Sequence, residues 1–215
     1  MAPRIYQPKL ISTLEACEAA GFELVLGDLK HVSVCCEELI RRGEYITQFH
    51  DVSRALFTSA LINYRRCFNS GCRVSIKIEE CNFLSAEDRE HHRDCINLAD
   101  KHLAHSVNGF ERANMTIHIA EDEDKGSLTR SGVGFASSLG MGFGLNDIQQ
   151  LASLVEKIEG GFVQPRIKKL KMLVEQQITQ MSDDELRVLP DGLAHGLMGD
   201  VNKARSHPYQ SGGKR

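Results

Sequence analysis

Apolar and polar residues along the chain alternate with two periods, one helical and one extended. From 11 to 42 the spacing is helical, with an interruption expected near Gly21 or Gly27. A second helix is predicted over 51–69, where Val52, Leu56, Ala60, Leu61, Tyr64 and Phe68 recur mostly at steps of three or four. Asp51 is placed to cap its start, and Asn69, Ser70 and Gly71 to stop it. Val74, Ile76 and Ile78 then alternate strictly, which predicts an extended connection over 72–83.

Ser85-Ala86-Glu87-Asp88 reads as a capping box with Asp in the usual Glu position, so a third helix is expected from there to about His105. Beyond Gly109 the period changes to two. Met115, Ile117 and Ile119 alternate with polar residues, the acidic 121–124 run and Gly126 form a turn, and 128–136 returns, giving a β-hairpin at about 115–136. The glycine-rich stretch 132–144 has no Lys-Ser/Thr pair after its glycines, so it reads as a flexible connection and not as a phosphate loop. Two amphipathic helices follow. Leu145, Ile148, Leu151, Val155 and Ile158 share one face of the first. Val163, Ile167, Leu170, Val174, Ile178 and Met181 form the stripe of the second, which suits a bundle seam and a dimer contact equally. A short helix capped by Ser182 ends before Pro190, and 191–215 reads as a mobile tail. The expected fold is a mainly α-helical bundle with one small hairpin, a single domain over 1–190.

Composition narrows the class. A chain of 215 residues, 41% hydrophobic, can bury roughly 70% of its unfolded surface without a disulfide or metal staple. A net charge of −3 excludes wholesale coating of nucleic acid but leaves room for a local basic cleft. No apolar run reaches the ~18 residues of a membrane span, and the opening MAPRIYQPKL lacks a secretory core, so a cytoplasmic protein without membrane contact is expected. The seven cysteines, at 17, 35, 36, 67, 72, 81 and 95, include no CxxC pair and read as reduced, buried residues.

Candidate chemistry gathers in one helix. His91, His92, His102 and His105 all fall on it, and its last turns read Asp100-Lys101-His102-Leu103-Ala104-His105-Ser106. Complementing the negative end of the helix accounts for His102 and His105 without any catalysis. A metal site is a rival reading, since His91 and Cys95 are four apart and His102 and His105 three apart. However, there is no HExxH and no third ligand at helical spacing.

The segments ALFTSALINYRRCFNSG (55–71) and HRDCINLADKHLAHSVNGFE (92–111) resemble the HEPN superfamily. Its bacterial members close a bundle helix with Arg-Asn/Asp-Lys-x-x-Ala-His-Ser. The resemblance implies a metal-independent ribonuclease of a toxin–antitoxin or antiviral defence system. It implies no cofactor, RNA as substrate, a homodimer whose two motifs line one cleft, and an antitoxin or regulatory protein partner. On this resemblance His105 transfers the proton and Asp100 orients the site. Lys101, His102, Ser106 and Asn108 contact RNA, and Ala99 stands where the family has its phosphate-clamping Arg. Arg93 cannot fill that role, because twelve helical residues separate it from His105 by ~18 Å. The substitution implies that the chain as written is inactive, through an introduced inactivation or a natural loss of activity, unless an Arg is supplied from elsewhere. A noncatalytic module binding RNA, a nucleotide or a protein is the alternative. Arg65 and Arg66 read either as phosphate contacts or as a solvated helix end. Arg166, Lys168, Lys169 and Lys171 read chiefly as an exposed charged face.

Overall fold

A computed structural model describes residues 8–43, 51–69, 74–103, 111–122, 127–139 and 144–192. It is a mainly α-helical bundle carrying a two-stranded antiparallel hairpin. The central element is α1 (Leu14–Arg42), which packs against the second, fourth and fifth helices. Thr13 caps it by accepting from the Ala16 amide at 3.2 Å, and Gly43 ends it with φ 56°, a conformation that favours glycine.

The interruption expected near Gly21 or Gly27 does not occur, and α1 runs through both. Packing explains the first glycine: a Cβ at Gly21 would overlap the Val74 side chain, so the bare backbone lets the 74–77 segment lie close. Gly27 faces open space. A buried stripe from Phe22 through Leu29 and Val32 to Leu39 holds the helix together across the weak positions.

Helix α2 (Asp51–Cys67) buries Phe57, Ala60, Leu61 and Tyr64, whereas Val52 is exposed. The chain then runs extended at 74–77, with the Ile76 amide bonded to the Cys67 carbonyl at 2.8 Å, before Ile78–Glu80 coil into a single 3-10 turn. Ser85 and Asp88 form the reciprocal capping box of α3 (Ala86–Leu98). From Ala99 to Leu103 the helix widens into a π turn.

Strands β1 (Glu111–Asp122) and β2 (Ser127–Leu139) pair along their whole length. The register shifts between His118 and Ile119, leaving Ser131 as a bulge next to Gly132. The hairpin is therefore longer than the predicted 115–136. The first half of the glycine-rich stretch is strand and not connection, because Gly132 and Gly134 sit opposite His118 and Thr116 in the ladder. Helix α4 (Leu145–Ile158) passes through a second π turn, Glu159–Val163, directly into α5 (Gln164–Thr179). Short α6 (Asp183–Val188) follows, capped by Ser182.

The basic residues of α5 are partly spoken for by α1. Arg166 pairs with Glu18 at 2.6 Å and Lys171 with Glu23 at 2.8 Å, so these two belong to the α1–α5 seam. At the ends of the bundle, the Leu10 amide bonds the Pro190 carbonyl and the Gly192 amide bonds the Pro8 carbonyl, each at 2.7 Å. Asp191 and Gly192 are thus tied to the bundle; the rest of the expected tail lies outside the described residues. No helix among the described residues is long and apolar enough to cross a membrane.

Candidate functional site

Two helix ends meet where the sequence places its chemistry. The last turn of α2 carries Tyr64 and Arg65, which leave the helix in different directions. Tyr64 is fully buried, and its hydroxyl lies 2.9 Å from Nδ1 of His92 on α3. Phe68 closes the cluster, edge-on to the His92 ring with centroids 4.5 Å apart. Arg65 points instead along the surface of the bundle. Its Nε donates to Oδ1 of Asp100 at 2.7 Å, joining α2 to the π turn that ends α3. The pair is partly exposed, with 28% of the Arg65 side chain and 47% of the Asp100 side chain accessible.

The π turn determines which residue faces where. Ala99 lies in the hydrophobic core at 4% exposure, while its neighbour Asp100 emerges beside Arg65. A π turn advances the helix by one extra residue per ring and re-aims the side chains that follow, which is why such turns recur at functional sites. The position expected from the resemblance to carry an Arg is therefore interior in this fold, and the cation next to Asp100 comes from a different helix.

The histidines divide. Burial pushes His92 down to about 4, and the Arg65 and Arg89 charges act in the same direction against the opposing pull of Glu79. A neutral ring suits a place beside a guanidinium. Burial likewise lowers His91, with the Asp147 and Asp94 charges opposing it, and its Nε2 lies 3.6 Å from the Cys95 Sγ. Burial raises the Cys95 thiol well above its usual range, so this pair is a contact between neutral groups at the α3–α4 seam. Burial also pushes Cys36 to about 12 and Cys81 to about 11. No group of three or more His, Cys, Asp or Glu residues suited to a metal ion occurs among the described residues.

Of the other predicted site residues, Lys101 is exposed on the π turn, and the backbone of His102 lies in the same turn. His105, Ser106 and Asn108 lie outside the described residues. Arg66 is not brought to the site. Its guanidinium turns toward α1, with Nη2 3.7 Å from Asp28 and Nη1 donating to Asn63 at 3.2 Å. A small polar cleft of about 130 Å³ lies at the opposite end of α3, between Asp88, His91, Gln150 and Lys157, and an Asp88–Lys157 ion pair at 2.7 Å spans it. Sequence reading missed the Arg65–Asp100 bridge and the Tyr64–His92–Phe68 cluster. The only available signal was the Tyr-Arg-Arg ending of α2, with its aromatic and its cations on successive positions.

No protein-family model, curated protein or solved structure matches the chain significantly. The fold and the site define a helical-bundle protein with an appended hairpin, and its function is argued from its own residues.

Proposed function

We propose that the chain is a HEPN-type, metal-independent endoribonuclease of the toxin–antitoxin or defence class, with Arg65 as its phosphate-binding cation. The observation that carries this reading is the 2.7 Å Arg65–Asp100 bond. It puts a partly exposed guanidinium on the motif's acid, five residues before His105. The bond uses Nε, and the Nη donors of the same planar fork suit phosphoryl oxygens.

Cleavage of RNA without a metal requires a base for the ribose 2′-OH as its oxygen attacks phosphorus. It also requires positive charge on the phosphoryl oxygens and a proton for the departing 5′-oxygen. His105 serves proton transfer, since imidazole titrates near neutral pH. Arg65 stabilises the negative charge that develops on the non-bridging phosphoryl oxygens, and Asp100 holds Arg65 in place. Lys101, His102, Ser106 and Asn108 extend the contact with the RNA backbone, and the substrate is bound by two copies of the chain.

The test is cleavage of single-stranded RNA with chelator present. The wild-type chain is expected to cut, and Arg65→Ala to lose at least ~100-fold in rate, the scale of removing one charge-stabilising donor. His105→Ala is expected to be inactive. An inactive wild type, chelator-sensitive cleavage or a fully active Arg65→Ala variant contradicts the reading. The burial of Ala99 favours a second reading, a noncatalytic RNA- or protein-binding module. RNA binding without cleavage by the wild type selects it.

A further inference from the structure

The hairpin has two unlike faces. In an antiparallel ladder, residues directly opposite one another share a face. Ile117 faces Val133, and Met115 is the register partner of Phe135; after the bulge, Ile119 faces Arg130 and Leu128 follows on the same side. The opposite face pairs Thr116 with Gly134, His118 with Gly132 and Ala120 with Thr129. One side is therefore large and apolar, and the other small or polar.

The apolar side is uncovered. Met115 is 70% exposed, and Ile117, Ile119, Leu128 and Val133 are each more than half exposed. Among the described elements the strands make their substantial contacts only with each other. A two-stranded sheet alone is marginal in water at best, and needs a further layer against its apolar side. Together these five residues expose an apolar area on the order of 600 Å², at the upper end of what monomers leave open and most of the ~800 Å² that each partner contributes to a standard interface.

We infer that this face is the contact between two copies of the chain, hairpin packed on hairpin about a two-fold axis. Three features favour a second copy over another occupant. The face is self-complementary, as a two-fold interface requires. Its area matches what a dimer of this size needs. Arg130 and Glu121 hold register positions on this face, opposite Ile119 and Leu128, so two copies crossing face to face set the acid of one against the base of the other. A lipid surface would favour a basic rim, whereas β1 ends on Glu121 and Asp122. The inference rests on the sheet and stands apart from the nuclease reading.

The experiment is sedimentation equilibrium of the full chain, repeated with Ile117→Asp and with Thr116→Asp. The second variant puts the same charge into the same strand on the other face. The wild type is expected at twice the 24.0 kDa chain mass. Ile117→Asp is expected to dissociate at least ~30-fold more readily, the effect of one hot-spot residue, with its helical circular dichroism retained. Thr116→Asp is expected to stay dimeric. A monomeric wild type overturns the inference, as does equal weakening by both variants or an undiminished Ile117→Asp dimer. Pelleting of a monomeric wild type with anionic phospholipid vesicles identifies a membrane as the occupant and overturns it too. A dimer with no RNA cleavage upholds this contact while removing the nuclease reading.

Discussion

Substituting His92 by Phe is expected to remove a specific loss of stability on acidification. The imidazole is 7% exposed, packed against Phe68 and bonded to the Tyr64 hydroxyl at 2.9 Å. Burial depresses it from 6.5 to about 4. As pH falls, the unfolded chain takes up a proton near 6.5 while the folded chain resists until about 4. The stability of the neutral ring is therefore complete above pH 6.5 and is drained as pH drops toward 4. Between pH 7.5 and 4.5 the two values give a loss on the order of 2–3 kcal/mol. His92→Phe leaves the Tyr64 hydroxyl unpaired and starts about 1–2 kcal/mol lower at pH 7.5. It then lacks this acid-linked loss, so the two proteins converge or cross by pH 4.5. Urea unfolding at intervals across that range measures the difference, and His91 contributes equally to both. A wild-type-to-variant difference that is constant with pH refutes the reasoning, as does a His92 ring signal titrating at 6.5 by NMR.

Four further outcomes follow from packing and capping. Gly21→Ala is expected to destabilise by about 1–3 kcal/mol, because the new methyl group overlaps Val74. Gly27→Ala, with open space around it, is expected to stabilise α1 by about 0.5–1 kcal/mol, and thermal unfolding of both variants reads the opposite signs. Ala99→Arg is expected to lower the melting temperature without raising the cleavage rate, because it drives a guanidinium into a position only 4% exposed. Ser85→Ala removes one half of the α3 capping box and is expected to cost about 1 kcal/mol in chemical denaturation.

Local signals carried much of the fold. The Ser85 and Ser182 caps, the stripe on α4 and the hairpin alternation are all set by residues within a few positions of each other, and each element forms around those residues, the hairpin extending beyond them. What local patterns do not contain is long-range packing. The close approach of Val74 to α1 at Gly21 joins residues far apart in the chain, and the passage from α4 into α5 depends on a π turn with no period of its own. The site shows the same division. The place of Asp100 near a helix end was legible. The inward rotation of Ala99 and the meeting of Arg65 with Asp100 arise from the π turn and from the docking of α2 on α3, and neither is written in the motif. The charge run on α5 resolved into specific bonds to Glu18 and Glu23 only once α1 lay beside it.

The most direct measurement is the chemical nature of the ends left on RNA by the purified chain in excess chelator. Attack by the neighbouring 2′-oxygen leaves a 2′,3′-cyclic phosphate and a 5′-hydroxyl. That pair of ends is expected from the wild type, absent with Arg65→Ala, and absent from a substrate carrying 2′-deoxyribose at the cut. Intact RNA, a 5′-phosphate product, or cleavage of the deoxy-substituted strand contradicts a metal-independent site built on Arg65, Asp100 and His105.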